Sequence, residues 1–479
     1  MNEMITTLAP SASLDEASIG GFADALAVVR DLPLFADQEE WDLEGTPFRR
    51  TLRPQTFAHV DFATPLGAHE PTTYKSLVAN RILQTAYEAE FVLLPRTPDA
   101  HFAADFALFY APRTQAALDI VRRRLEETVF SFLDDEIDLS GRWRRSDAKA
   151  YLEAYVTQEE TAQGNAAMAA IEASPDPRHA AKTFLIQLAS DFLLESSPMA
   201  RTTIGNYGPI QSEIFKVLID EYGYGVHSAK HSTLYEETLS SVGLSPAAHT
   251  HWQFYLSGSL MMNNYFNYVC RNPRHFFRYL GALFQAETGF IRATREWSQG
   301  LGRVFGDEIA LGYFAEHAHI DMHHSRMALE NVVLPAIDAF GEGVIPDILR
   351  GFEEAKLLAE LAERDFCAQV GWMDAAAPCK RLAPGILANI EARPAAERPP
   401  LAPIDEPRGE LSVMHVHDGD ELCWIREGVM HFWIGHDRYT RLEAGEGTVI
   451  RAQRLHGAII DSERCLYEIH SIGDHRAWL

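Results

Sequence analysis

The chain has 479 residues, 47% of them apolar, with 42 Lys and Arg against 68 Asp and Glu, a formal charge of 42 − 68 = −26. The length exceeds one ordinary core and predicts two or three domains. The apolar content excludes general disorder, and the acidic balance argues against nucleic acid as a partner. Cys270, Cys367, Cys379, Cys423 and Cys465 contain no C-x-x-C pair, so neither a disulfide framework nor a zinc ribbon is expected, and a reducing cytoplasm is the expected location. No signal peptide and no membrane span are expected, because the start lacks a basic segment followed by an apolar one and all apolar runs are short.

Residues 1–45 read as irregular and then acidic. Apolar residues at three- and four-residue spacing predict helices over Tyr74–Ala89 and Gln115–Leu133. Gly141-Arg-Trp-Arg-Arg interrupts the pattern. It resumes at Ala148 and runs to about Trp372, with breaks at Ser174-Pro-Asp-Pro, Gly223/Gly225 and Pro335. After Ala375 the periodicity fades. Pro394, Pro399, Pro400, Pro403 and Pro407 mark a linker or the extended edge of the next domain. From Leu411 short apolar runs alternate with turns, predicting an antiparallel barrel. The expected fold class is multidomain: an all-α bundle followed by an all-β barrel, divided as a helical segment over 1–140, a metal-binding helical domain over 141–375 and a β domain over 385–479.

The β domain carries His415-Val-His417, Glu421 after a turn-like Asp-Gly-Asp, and His456 from a later strand. Histidines one residue apart on a strand point to the same side. Three imidazoles and a spare carboxylate suit a mononuclear first-row metal with open positions. Glu421 is either a fourth ligand or a carboxylate that orients an imidazole. His431, His436 and His470 read as surface or core histidines. Tyr467 is a candidate inner-face catalytic residue, with ordinary barrel packing as the competing reading.

In the helical region, His317, Asp321 and His324 stand at i, i+4 and i+7, within roughly 60° on one helix face. Two imidazoles and a carboxylate on one stripe suit iron or manganese held between helices, whereas His319 and His323 fall off the stripe. Carboxylates from neighbouring helices must complete such a site. Glu195 and Glu221 each place a charge in an apolar stripe, which is costly unless the charge is paired or metal-bound. His231 follows a glycine-interrupted stretch that could bend the chain back. Each has another explanation: Glu195 could face solvent near Ser196-Ser-Pro, and Glu221 competes with Asp220 and Glu213.

Gly409, His415, His417, Glu421 and Gly428 reproduce the first motif of the cupin family. Gly445 and His456 fit the second, with Arg451, Gln453 and Ile460 replacing its usual proline, glycine and asparagine. The order Glu195, Glu221, His231, then His317-x-x-x-Asp321-x-x-His324 resembles the heme-oxygenase-like diiron oxidase and oxygenase superfamily. The resemblance covers nearly the whole chain as a diiron bundle fused to a cupin. It implies Fe(II), dinuclear among the helices and mononuclear in the cupin, with O2 and an external electron donor (a reductase or chemical reductant). It further implies N-hydroxylation of guanidine nitrogens of Nω-methyl-L-arginine at the diiron site, rearrangement to an N-nitrosourea at the cupin, and a homodimer built with the N-terminal helices. The alternatives are a diiron N-oxygenase acting on another amine or amino acid with the cupin as a sensing or structural module, and a ligand sensor beside an iron-binding bundle without turnover.

Overall fold

Two 30-residue helices, Phe276–Phe305 and Ile345–Asp374, form the spine of the helical part of this computed structural model, which describes residues 19–36 and 46–479. Glycines let them meet backbone to backbone. A Cβ at Gly281 would strike the Ile348 carbonyl, and one at Gly351 the Arg278 carbonyl. Around this pair lie helices Arg145–Thr161, Pro177–Phe192, Pro209–Glu221, His231–Ser241, Ser257–Arg271 and Gly312–Met327. Beyond Met327 the chain makes a π-turn over Ala328–Val333, just before Pro335 in the first turn of Leu334–Phe340. The wider turn accommodates a residue that has no N–H to donate.

Near the N-terminus, helices Tyr74–Glu88 and Pro112–Phe130 form where the periodicity places them, and the first packs on Ser257–Arg271. The expectation of irregular chain over 1–45 misses helix Phe22–Arg30, which buries Ala25 and Val29 and packs on Pro112–Phe130. The rest of that expectation, residues 1–18 and 37–45, lies outside the described residues.

The sequence reading also ends the helices too early. Ala376–Ala392 is helical despite Pro384 within it, because Cys379, Ala383, Ile386, Leu387 and Ile390 make one buried stripe that lies against the β domain. The proline-rich stretch beyond becomes strand β1 (Leu401–Pro407) at a sheet edge, where a missing N–H is tolerated.

The β domain has seven further strands: β2 (Leu411–His415), β3 (Asp420–Glu427), β4 (Val429–Gly435), β5 (Arg438–Glu443), β6 (Gly447–Ile450), β7 (His456–Ile460) and β8 (Arg464–Gly473). They form two four-stranded antiparallel sheets, ordered β1-β8-β3-β6 and β2-β7-β4-β5, a cupin-like arrangement. One apolar core runs through both parts. Buried Arg81 clamps them, donating to the carbonyls of Met414 (3.0 Å) and Gln253 (2.9 Å). No helix among the described residues is long and apolar enough to cross a membrane.

Candidate metal centres

The helical region gathers two adjoining donor sets. In the first, His231 Nδ1 lies 2.8 Å from Glu221 Oε2 and 3.1 Å from His317 Nε2, and His317 Nε2 lies 3.1 Å from Glu195 Oε1. In the second, His324 Nδ1 lies 3.2 Å from Glu287 Oε2, 3.9 Å from Glu221 Oε1 and 3.8 Å from Asp321 Oδ1. Glu221 thus faces one set with Oε2 and the other with Oε1. Glu195, Glu221, His231 and His317, and separately Glu221, Glu287 and His324, are close enough to share a cation, with Asp321 beside the second group.

Local structure explains how these side chains meet. Glu195 is not on a helix; it stands in the turn after Phe192, just before left-handed Ser196 (φ 62°). There Tyr313 donates to its Oε1 at 2.7 Å. Glu221 ends its helix, and a tight loop returns the chain so that His231 opens the next. Gly223 makes that loop possible: its φ is +59°, and a Cβ would collide with the backbone of Ala229 and Lys230. His317, Asp321 and His324 share one buried face of Gly312–Met327, and His319 and His323 are exposed. His317 Nδ1 donates to the Tyr313 carbonyl, which aims Nε2 into the pocket.

Glu287 escaped the sequence reading, and Asp220 entered it only as a rival to Glu221. Glu287 enters from Phe276–Phe305, and Asp220 binds His324 Nε2 at 2.9 Å, turning Nδ1 inward. Glu287 carries the signal that marked Glu195 and Glu221, a charge among apolar neighbours (Phe284-Gln-Ala-Glu287). Asp220, beside Glu221, reads as a helix-surface acid, and nothing in its spacing shows that it reaches His324. Glu213 lies apart, paired with Lys216.

The electrostatics fit a cation pocket. Burial lowers the pKa of His317, but Glu195, Asp321 and Glu221 outweigh it and hold the imidazole well above its usual range. His324 is likewise carried to about 10, mainly by Glu287 and Asp220 against burial. Burial raises Asp321 well above the carboxylate range. Glu195 Oε2 and both Asp321 oxygens are buried with no hydrogen-bond donor. Leaving such atoms unpaired is costly, and a bound cation removes the cost.

A cavity of about 360 Å³ adjoins these donors; Glu195, Glu221, Glu287 and His317 form part of its wall. Asp191 also lines it, its carboxyl pushed up to about 7 by burial and then by Glu195, Glu88 and Glu221.

The β domain holds the third set. His415 ends β2, His456 opens β7 directly opposite it, and His417 follows in the loop. His415 Nε2 is 3.0 Å from His417 Nε2, and the His456 ring centroid is 4.4 Å from that of His415 and 5.0 Å from that of His417. His415 Nδ1 donates to Val413 O (2.7 Å) and His456 Nδ1 to Arg454 O (2.9 Å). Both imidazoles therefore offer an Nε2 lone pair. Burial, followed by Arg53 at His415 and by His417 at His456, depresses these two well below the usual range, and His417 falls to about 4 through burial and Arg53. Neutral imidazoles converging on one point are a metal-ligating arrangement.

Glu421 reaches His417 Nε2 at 3.2 Å, and burial raises its carboxyl to about 7. The turn before His456 survives the replaced motif residues because Gln453 adopts the left-handed conformation (φ 60°) and donates its N–H to His417 O at 2.6 Å. Tyr467 is buried on β8, and its hydroxyl donates to Glu406 at 2.8 Å. Among the described residues, no hydrogen bond or ring contact joins it to the three imidazoles. His431 stacks on Tyr439, and His436 lies beside His251 and Phe254.

Residues 182–359 match the family described as an iron-containing redox enzyme, on a heme-oxygenase-like fold. Over 464 residues, 97% of this chain and 98% of the relative, the sequence is 44% identical to a nitrosourea synthase of Streptomyces achromogenes subsp. streptozoticus. With its donor sets supplied by the helical and cupin-like parts, the chain belongs to the family of that synthase and is a non-heme iron oxidoreductase.

Proposed function

We propose that this oxidoreductase uses iron and O2 to hydroxylate guanidine nitrogens of Nω-methyl-L-arginine in the helical part, and rearranges the product to an N-nitrosourea in the cupin-like part. The observation that carries the reading is Glu221, whose two oxygens face two donor sets, so that the residues around it would hold two irons side by side. The three-histidine set then serves a mononuclear iron. The relative's name supports the product class.

When bound, ferrous iron supplies the redox chemistry that activates O2. Each hydroxylation also takes two electrons and two protons from outside, releasing one water, which calls for a reductase or chemical reductant. The chain's own residues hold and shield the reacting groups. Asp220 fixes the His324 ring, Tyr313 fixes Glu195, and Phe192 and Phe290 give the cavity apolar wall that excludes water. In the cupin-like part, three neutral imidazoles leave coordination positions for an N-hydroxylated guanidine. We assign Glu421, which faces His417 Nε2, to the metal as a fourth ligand or as the carboxylate that orients that imidazole, and Tyr467 to the catalytic role. A homodimer and a cytoplasmic setting belong to the same proposal.

The test is product analysis with the iron-loaded, reduced protein under O2. Nω-methyl-L-arginine should give hydroxylated guanidines and then an N-nitroso product, whereas simple amines should not. Turnover of simple amines with none of arginine derivatives would refute the substrate assignment.

A further inference from the structure

The cavity beside the helical donors contains a carboxylate that metal binding does not use. On helix Pro177–Phe192 and the turn after it, Leu188, Asp191, Phe192 and Glu195 line the same wall. The Asp191 carboxylate has no hydrogen-bonding or cationic partner among the described residues, and the charges nearest it are the carboxylates of Glu195, Glu88 and Glu221. An enclosed carboxylate without a partner is unfavourable unless it is protonated or something cationic arrives. Other lining residues differ. Arg292 and Lys356 are about one-third exposed, and Arg292 pairs with Glu159 at 2.9 Å. Arg292 lies five residues beyond Glu287 on one helix, a rise of ~7.5 Å, comparable to the reach of an extended arginine side chain. A charged pair of both signs suits the zwitterionic end of an amino acid, and a lone carboxylate suits a cationic end.

We infer that Asp191 is the substrate-positioning residue of the helical site, receiving a guanidinium by charge-assisted hydrogen bonds while the amino-acid end lies toward Arg292. A planar guanidinium matches a carboxylate in two parallel bonds, which would fix the nitrogen presented to the metal-binding wall. The assignment rests on the guanidine reading given above and names the residue that would enforce it.

The test measures binding to the full-length, iron-loaded protein without O2, by calorimetry, with Nω-methyl-L-arginine and its neutral urea counterpart L-citrulline as probes. For Asp191→Asn, methylarginine affinity should fall roughly 10- to 100-fold, the size of a lost charge-assisted hydrogen bond. L-citrulline affinity and iron content should match wild type, and Asp191→Glu should recover part of the loss. Unchanged methylarginine affinity in Asp191→Asn would overturn the assignment. So would an equal loss for both probes or a loss of iron, since either would mark Asp191 as a structural or metal-supporting residue. Wild-type protein that binds no guanidine would overturn the proposed substrate as well, a result separable from failure of the Asp191→Asn comparison alone.

Discussion

At the scale of single residues, each donor set depends on groups that aim the donors. Asp220 turns His324, so Asp220→Asn should lower activity or iron affinity of the helical site by roughly 10- to 100-fold, as loss of such a partner does elsewhere, and iron titration checks it. Glu287→Ala removes a donor facing His324 and should lower helical iron content, whereas Glu213→Ala, which removes only an outlying pair with Lys216, should not. Away from the metals, Glu88 is buried against Arg50 (2.7 Å) and His249 (2.6 Å). Burial would raise its pKa, but His249 and Arg50 outweigh burial and hold it below the usual carboxylate range. Its stabilising contribution is therefore present above the unfolded value, near pH 4, and is lost as pH falls through the lower folded value. Glu88→Gln should cost about 3–5 kcal/mol at neutral pH by stranding Arg50, read by chemical denaturation. What the sequence revealed here was periodicity: Glu195, Glu221 and the 317–324 stripe stand out as charges on apolar faces. Asp220 sits on an ordinary surface pattern, and only the folded helix pair shows what it touches.

At the scale of elements, the loop between Glu221 and His231 and helix Ile345–Asp374 carry the most consequence. Gly223→Ala forces a Cβ into the Ala229–Lys230 backbone at a positive φ. It should displace His231 and deplete helical iron while cupin iron persists, as metal content per chain will show. The long helix serves both sites. Phe366 lines the helical cavity. Three residues on, Gln369 bonds Leu455 N and O at 2.9 Å each, next to His456, and Trp372 meets the His456 ring edge-on at 6.3 Å. Gln369→Ala should weaken cupin iron and spare the helical set. The strand pattern of the β domain was legible because alternation and turns coincide. Helix Ala376–Ala392 was hidden by its prolines, although its stripe from Cys379 to Ile390 was present in the letters. Arg81, which clamps the two parts, gave no signal, since a lone arginine in a helix reads as surface.

For the molecule as a whole, one continuous core binds the two kinds of site into a single chain, and in the proposed two-site reaction tethering would keep the intermediate near its second site. If the intermediate also diffuses between chains, mixing Glu221→Ala with His415→Ala protein will restore final product; a folded mixture that makes none excludes free exchange. The central claim is that each chain carries two distinct iron pockets. Mössbauer spectroscopy of anaerobically 57Fe-loaded protein tests it most directly. The account predicts a dinuclear and a mononuclear population, with His415→Ala losing only the mononuclear signal and Glu221→Ala only the dinuclear one. A single population in the wild type, or both signals vanishing together in a folded single variant, would contradict it.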